Sequence, residues 1–459
     1  MKNVPLNALE RRSLAALSSV LGLRMLGLFL ILPVFALYAD RLEGASAMLV
    51  GIALGAYGVT QALLQVPFGI LSDRFGRKPL LTAGLLLFAL GSVVAAQATT
   101  IESVIFGRAL QGAGAISAVA LALLADLTRE EQRTKAMALA GMSIGASFLA
   151  ALILGPLLAE SVGLQGLFWV SGFLAVAALP VVWWLIPAAR VLANGSDQQP
   201  VRGQLQAVLL DPQLVRLDVG IFVLHMVLTA LFVAVPFALR DSVGLSPGRH
   251  WQIYIPVLLL SVLAMVPLLL LSMKRRNTMR VFRVAIGILL GALLVLAVGS
   301  DEVVLLIGGL WLFFTGFNLL EAMLPSLTSR LAPATRKGSA LGIYNTFQFT
   351  GVFFGGVLGG LTYSMWGAEG VFIFAAVSVV LWLVLALTGP APALPESLTV
   401  RLERADPGDL AGLGDRLRQV TGVQEITVMP ERGVAYLKVD PQIIDRETLK
   451  RLDGIIAVE

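Results

Sequence analysis

A few ionisable side chains lie inside long apolar runs of this sequence, where they could bind and release protons. His225 lies near the middle of one run, and the ordinary imidazole pKa of about 6.5 suits reversible protonation. Glu321 follows Asn318 by three residues, so both side chains project from one helix face. A buried carboxyl group can hold a proton at neutral pH. Two alternatives stay open: His225 as a hydrogen-bonded core residue, and Glu321 near the end of its run, because Pro325 follows closely.

Two arginines also fall inside apolar runs. Arg24 lies about eleven residues into the first run, roughly 16 Å from its start at 1.5 Å per residue. An arginine at mid-span costs about 2.5–3.5 kcal/mol unless it faces a cavity or a partner, so we expect Arg24 to face a cavity. Arg108 lies roughly 10 Å from the end of its run, which leaves snorkelling toward water open. Five amides could line the cavity or join helices: Gln61, Gln65, Gln111, Asn345 and Gln348.

One short loop between two apolar runs concentrates charge: Gly69-Ile70-Leu71-Ser72-Asp73-Arg74-Phe75-Gly76-Arg77-Lys78-Pro79. Glycine permits a tight reversal, and proline suits the first turn of the next helix. Asp73 and Arg77 lie four residues apart, so they can pair with each other or with a neighbouring helix end, where Asp126 follows another run. The bases cannot enter hydrocarbon, so they mark one face of a membrane. The alternative is that these charges are only solvated anchors.

Composition places the chain in a membrane. Hydrophobic residues make up 57% of the 459 residues and charged residues 14%, against about 25% charged in soluble domains. The apolar runs reach the length of about twenty residues that a bilayer-spanning helix needs. The absence of cysteine excludes disulfides, zinc–thiolate sites and iron–sulfur clusters. No nucleophile–base pair, cofactor motif or basic patch with interleaved aromatics occurs, so we expect no enzyme, no cofactor, no metal and no nucleic acid.

We predict an all-α membrane bundle of twelve helices in two pseudo-symmetric halves, 1–187 and 218–388, joined by a linker at 188–217. The first span is predicted at 13–39 and the fourth at 101–125. The loops on one predicted side carry twenty Lys or Arg residues and those on the other carry three, so the basic side is cytoplasmic. An even number of spans then places both termini in the cytoplasm. The sequences of the two halves resemble each other weakly, as in transporters whose halves rock about a central site.

A Pro-rich linker at 389–397 precedes a small domain at 398–459. Patterning predicts strands at 398–404, 423–429, 434–439 and 455–458, and helices at 406–420 and 445–452. The order βαββαβ is that of a ferredoxin-like fold. This domain contains no histidine and no cysteine, so we expect regulation or interaction and no catalysis.

The chain resembles the major facilitator superfamily at three motifs. The loop at 69–79 is similar to the family's signature loop at Gly69, Asp73, Arg74, Gly76, Arg77 and Lys78. Gly107-Arg108-Ala109-Leu110-Gln111-Gly112-Ala113-Gly114 resembles the fourth-span motif of proton-coupled members. Gly155-Pro156 resembles the core of the antiporter motif, although Ala151 and Ala159 stand where the family often has glycine.

The resemblance implies roles for these residues. The loop, with Asp126, would contact the opposite half and latch the outward-facing state. Arg108 would take part in proton coupling. Gly112, Gly155 and Pro156 are expected to serve helix packing and bending at the moving interface.

We therefore expect a multi-pass transporter of a bacterial-type inner membrane that exports small drug-like organic compounds by proton antiport with rocker-switch alternating access. No G-x-x-x-x-G-K-[ST] motif occurs, so ATP is not the expected driver. The expected partners are the lipid bilayer, protons and a small-molecule substrate, and the chain is expected to be a monomer. The alternatives are a metabolite facilitator or symporter, and a non-transporting sensor that signals through the tail domain.

Overall fold

The computed structural model describes most of the chain. The described residues are 6–39, 41–187, 206, 208–272, 277–333, 337–388, 396–402, 407–429, 433–440, 443–452 and 455–458. Most of the predicted linkers at 188–217 and 389–397 lies outside these ranges.

The first part of the chain is helical. Its helices are α1 (Ala8–Phe29), α2 (Phe35–Ala39), α3 (Ala47–Phe75), α4 (Arg77–Ala96), α5 (Ile101–Ala113), α6 (Ser117–Asp126) and α7 (Glu130–Pro180), followed by a π-helical turn at Val181–Leu185. Helix α1 begins in a capping box, in which Asn7 and Glu10 each accept a hydrogen bond from the other's backbone N–H.

Two of the predicted spans are interrupted. The prediction of one helix over 13–39 is wrong, because residues 30–34 form turns between α1 and α2. Pro33 lies in this stretch and has no amide N–H to continue the helical ladder. The predicted span at 101–125 is also two helices, since Gly114, Ala115 and Ile116 separate α5 from α6.

The second part of the chain is also helical. It comprises α8 (Pro212–Asp241), a 3₁₀ turn (Pro247–Arg249), α9 (Trp251–Ser272), α10 (Thr278–Gly299), α11 (Val303–Leu331) and α12 (Lys337–Thr388). Helix α8 begins six residues before the predicted boundary at 218. Its start follows from local chemistry: Asp211 caps the amides of Gln213 and Leu214, and Pro212 takes the first position, where a missing N–H costs nothing.

Ten helices within the described ranges are long and apolar enough to cross a membrane. Two of them, α7 and α12, have 51 and 52 residues and are interrupted by glycine. Gly163 has φ 65° and ψ −171°, and Gly367 has φ 64° and ψ −157°. These positive φ angles suit glycine, and each marks a kink at which the long helix divides into two segments.

The two parts of the chain meet along α3 and α12, at a contact that we call the glycine seam. It consists of Gly51, Gly55 and Gly58 of α3 with Phe349, Phe353, Gly356 and Gly360 of α12. A Cβ atom at Gly55 would lie 2.7 Å from the Phe353 carbonyl oxygen, and one at Gly58 would lie 2.6 Å from the Phe349 carbonyl oxygen. Small residues let two helix backbones approach this closely. The seam lies at the end of α3 away from the loop at 69–79.

The tail forms a small sheet packed with helices. Its elements are β1 (Glu396–Leu402), α13 (Pro407–Gln419), β2 (Val423–Met429), β3 (Val434–Val439), α14 (Arg446–Arg451) and β4 (Ile455–Val458). The strands are antiparallel in the spatial order β2-β3-β1-β4. Strand β1 starts two residues before the predicted domain boundary at 398. Alternate residues of β1, including Leu398, Val400 and Leu402, are buried in the core of the tail domain.

Candidate functional site

Arg24 is fully buried inside the first part of the bundle. Its Nη2 atom donates hydrogen bonds to Oε1 of Gln61 at 2.7 Å and to the Gly114 carbonyl oxygen at 3.0 Å. Its Nη1 atom donates to Oγ of Ser117 at 3.2 Å. The interruption between α5 and α6 places Gly114 and Ser117 around the guanidinium group. Arg24 therefore meets protein partners in this structure, where an open cavity was expected.

Arg108 is buried as well, and it does not snorkel to the membrane surface. Its Nη1 atom donates to Oε1 of Gln111 at 2.8 Å, and its guanidinium carbon lies 4.5 Å from the ring centre of Tyr57. The amide of Gln111 in turn donates to Oγ of Ser92 at 2.8 Å. The arginine is 2% exposed. A chain of polar contacts thus links α3, α4 and α5.

The second polar cluster lies where α8, α11 and α12 meet. The Nε2 atom of His225 lies 2.7 Å from Nε2 of Gln348 and 3.9 Å from Oε2 of Glu321. The histidine side chain is 11% exposed and the glutamate side chain 39% exposed. Glu321 therefore touches open space while its Oε2 atom points toward His225. The 3.9 Å separation is too long for a direct hydrogen bond, so two titratable side chains face each other here without sharing a proton directly.

Asn318 does not join this pair, although it shares a helix face with Glu321. Its Nδ2 atom donates to Oγ of Ser261 on α9 at 3.1 Å. Gln65 is buried, and its amide atoms have no hydrogen-bond partner among the described residues. Asn345 is half-buried. Of the five amides singled out from the sequence, Gln61, Gln111 and Gln348 contact the ionisable residues.

Sequence reasoning missed two buried polar residues on the helices that form the second cluster. Asp218 is 1% exposed and Tyr344 is 3% exposed. The carboxylate oxygens of Asp218 and the hydroxyl of Tyr344 have no hydrogen-bond partner within the described part of the chain. The spacing could have revealed both, because Asp218 precedes His225 by two helical turns and Tyr344 precedes Gln348 by one.

An ion pair between buried Glu10 and exposed Arg129, at the start of α1, was also missed. The guanidinium of Arg129 forms two 2.8 Å hydrogen bonds to the Glu10 carboxylate, and the Arg129 backbone N–H donates a third at 3.0 Å. Glu10 is 1% exposed. The sequence feature that could have revealed this pair is the capping box at Asn7, which holds Glu10 in place. The pair ties the start of α1 to the start of α7.

The charged loop is organised around Arg77. This residue pairs with Asp73 at 2.6 Å and with Asp126 at 3.2 Å. Lys78 donates to the Ile186 carbonyl oxygen at 2.6 Å, and the guanidinium of Arg74 lies 5.4 Å from the ring centre of Phe75.

All these partners belong to the loop's own half. The contact with the opposite half that the resemblance implies is not among them.

The loop glycines differ from each other: Gly76 has φ 94°, which suits the reversal between α3 and α4. A Cβ at Gly69 would meet no atom within 4 Å, so Gly69 makes no close helix contact in this structure.

The other expected packing residues lie at close helix contacts. A side chain at Gly112 would clash with the Tyr57 carbonyl oxygen of α3, and one at Gly155 would clash with the Leu30 carbonyl oxygen beside Pro33. Pro156 lies inside α7. Gly155 therefore packs against the point where α1 ends.

A bundle of apolar helices with two buried polar clusters defines a membrane transport protein. The chain belongs to the Major Facilitator Superfamily, whose family description matches residues 17–356 and 327–424. It is 42% identical over 440 residues to the inner membrane transport protein YajR of Escherichia coli strain K12, covering 95% of this chain and 96% of that protein. It is also 27% identical over 339 residues to the multidrug resistance protein MdtH of Yersinia enterocolitica, covering 73% of this chain and 82% of that one.

Solved structures of transporters share the fold. A bacterial homologue of the human lysosomal transporter Spinster, in an inward-facing and occupied conformation, superposes with a TM-score of 0.67 at 14% identity, covering 83% of this chain and 96% of that one. A D-xylose–proton symporter gives a TM-score of 0.66 at 14% identity, covering 82% and 97% of the two chains. The chain is therefore a multi-pass transporter of the inner membrane type.

Proposed function

We propose that this protein exports small drug-like organic compounds across the inner membrane in exchange for protons. The observation that carries the proposal is the contact between His225 and Glu321, 3.9 Å apart, with Glu321 partly open and His225 largely buried. A proton bound at this pair changes the net charge of the pair, beside the open space that Glu321 touches. A substrate whose affinity depends on that charge is thereby coupled to the proton, because coupling needs only a difference in affinity between states.

Drug-like compounds are the proposed substrates for two reasons. The MdtH relative carries the name of a multidrug resistance protein. The ring of Phe317 lies 5.9 Å from the His225 ring, beside Glu321. An aromatic wall with few polar groups suits apolar organic compounds.

Alternating access is proposed from the uneven contact between the halves. The glycine seam joins them at the end of α3 away from the loop, and Glu160 of α7 packs on Gly248 at the same end. At the loop's end, Arg77 is paired within its own half. This distribution supports an inward-facing state. In the outward-facing state the loop would engage the second half and act as the latch.

The membrane topology is part of the proposal. The structure contains ten long apolar helices in its described part, and the kinks at Gly163 and Gly367 divide two of them, which supports a count of twelve crossings. We propose six crossings in 1–187 and six in 218–388, with both termini in the cytoplasm, and a monomer as the working unit.

The tail domain is proposed to be a ferredoxin-like regulatory module. Its element order and its strand order support that fold. Lys438 of β3 is largely buried and donates a hydrogen bond to the Ala332 carbonyl oxygen at the end of α11. A cation is favourable at a helix C-terminus, where the carbonyl groups point outward. The tail could thereby sense movement of α11, which also carries Glu321.

The decisive experiment reconstitutes the full chain in proteoliposomes with an imposed pH gradient. A panel of lipophilic cations and sugars is offered, and proton movement is followed with a pH-sensitive dye inside the vesicles. We expect substrate-dependent proton movement with lipophilic cations. Transport that continues without any proton gradient identifies a facilitator, and proton movement in the same direction as the substrate identifies a symporter.

The alternative function as a sensor predicts a different result from the proposed transport. If the bundle only signals, deletion of residues 396–459 abolishes the cellular phenotype while Glu321→Gln has no effect. If the bundle transports, Glu321→Gln abolishes proton-coupled export whether or not the tail is present.

A further inference from the structure

Asp218 is a buried carboxyl group that the proposed His225–Glu321 pair does not use. It lies about 9 Å into α8 from the first residue of the helix, at 1.5 Å per residue. The residue is 1% exposed, and both carboxylate oxygens are buried without a hydrogen-bond partner among the described residues. An ionised carboxylate left without partners in such a place is among the costliest arrangements in a protein. Asp218 must therefore be neutralised.

Among the side chains that the structure describes, those around Asp218 offer no cation for this purpose. Tyr344 of α12 lies within electrostatic range of both Asp218 and Glu321, and it is neutral. Arg216 precedes Asp218 by two residues and projects from another face of α8, where it lines a groove with Arg283 of α10. The guanidinium of Arg283 donates to the Ala386 carbonyl oxygen at 3.3 Å.

Two further ionisable side chains described on the neighbouring helices are His225 and Arg330. His225 is two turns beyond Asp218 on α8 and contacts Gln348 and Glu321. Arg330 lies in the last turn of α11. No Arg, Lys or His in the described ranges forms an ion pair with Asp218, whereas Arg77 and Arg129 each form one elsewhere.

A metal ion does not fit the site either. No cluster of three His, Asp or Glu side chains exists within the described residues, and a hard cation needs about six oxygen ligands. A proton needs only one carboxyl oxygen.

We propose that Asp218 forms a second proton-binding site of the C-terminal half, occupied by a proton in this conformation and separate from the Glu321–His225 pair. Proton binding here adds an O–H bond to one carboxylate oxygen and removes the negative charge. Tyr344 is within electrostatic range of both carboxyl groups. The use of this site in transport rests on the proposed proton antiport, whereas its occupancy by a proton does not.

Infrared spectroscopy of the full chain in lipid vesicles tests the proposal without any substrate. The carbonyl stretch of a protonated carboxylic acid is separate from the bands of a carboxylate. We expect wild-type protein at neutral pH to show this acid band, and Asp218→Asn to remove a component of it. Asp211→Asn is the matched control, because Asp211 caps the same helix, its carboxylate accepts hydrogen bonds from the Gln213 and Leu214 amides, and Asn can also cap a helix. It should leave the acid band unchanged.

A second measurement covers the case in which Asp218→Asn does not fold. In Glu321→Gln protein the Asp218 component should remain at neutral pH and disappear at high pH. Its absence at neutral pH overturns the proposal, as does an unchanged band in folded Asp218→Asn.

The two proposals can fail separately. Wild-type protein that shows the Asp218 band without any proton-coupled transport refutes the antiport alone. Coupled transport without the band refutes the second site alone.

Discussion

The Nε2 atom of His225 lies 2.7 Å from Nε2 of Gln348 and 3.9 Å from Oε2 of Glu321. The histidine therefore stands between an amide that fixes its ring and a carboxyl group that can exchange a proton. A proton on the histidine would attract an ionised Glu321, and a proton on Glu321 would remove its negative charge. Under the proposed antiport, the protonation state of this site would act on the contact between helices α8, α11 and α12.

Replacing Glu321 by glutamine should separate proton coupling from substrate binding. The amide keeps the size of the side chain but cannot release a proton. We expect export driven by a pH gradient to fall by tenfold or more, about 1.4 kcal/mol or more in coupling. Exchange of labelled for unlabelled substrate, which needs no net proton movement, should persist. Both rates are measured in proteoliposomes.

Asn318→Ala is the control for this substitution. It lies on the same face of α11 but bonds to Ser261, away from His225. It should keep pH-driven export. Equal losses in the two variants would show that the effect comes from helix packing and that the His225–Glu321 contact is not the coupling site.

Arg24→Ala should destabilise the first half of the bundle. The substitution leaves the Gln61 amide oxygen, the Gly114 carbonyl and the Ser117 hydroxyl without their buried donor. Each orphaned group costs about 1–3 kcal/mol. We expect a lower midpoint of thermal unfolding in detergent, and a partial recovery in Arg24→Lys, because one ammonium group cannot reach all three acceptors. A midpoint equal to that of the wild type would contradict the buried contacts.

Two glycines of α12 form a matched pair for testing the glycine seam. A methyl group at Gly356 would clash with the Gly51 backbone, whereas one at Gly342 meets no atom within 4 Å. Gly356→Ala should cost about 1–3 kcal/mol of stability through overpacking. Gly342→Ala should change stability by less than about 1 kcal/mol. Thermal unfolding of both variants measures the difference, and similar midpoints would mean that the halves do not pack through the seam.

The Arg77 ion pairs should contribute little to stability and much to transport. Asp126 and Asp73 are 45% and 66% exposed, and exposed pairs contribute at most about 1 kcal/mol. A double-mutant cycle of Arg77→Ala and Asp126→Ala should give a coupling energy below that value. If the loop latches the second half in the outward-facing state, Asp73→Asn should nevertheless lower the export rate several-fold.

The outcome of that experiment separates a latch from an anchor. An export rate in Asp73→Asn equal to that of the wild type, at equal expression, supports the interpretation of these charges as solvated anchors. Accessibility of a cysteine introduced at Gly69 gives an independent measure. This position is open in the present structure and should become protected when the latch closes.

Much of the architecture follows from the sequence because membrane helices have a strong one-dimensional signal. Long apolar runs must form helices in hydrocarbon, since every backbone polar group must be satisfied within the segment. The charged loop at 69–79, the buried arginines and the His225–Glu321 face were visible for the same reason: charge is rare and costly in such runs.

The helix interruptions and side-chain partners were decided only by the tertiary structure. Pro33 could have been accommodated in a bent helix, but residues 30–34 form turns where Gly155 packs against the Leu30 carbonyl. The partner of Asn318 is Ser261, although spacing placed it beside Glu321. Helices that are apolar on all sides carry no amphipathic pattern to set their rotation, so the faces that meet depend on packing against neighbours.

Asp218 shows the same division between sequence and structure. Its position in the chain is compatible with a solvated residue near the start of a helix, and the prediction placed it at the first residue of the second half, 218–388. In the tertiary structure its side chain is 1% exposed, and this burial is the basis of the proposal that it holds a proton. Sequence alone established that the chain crosses the membrane and where charge occurs along it. Long-range packing determined which of those charges are buried, because burial depends on residues far apart in the chain.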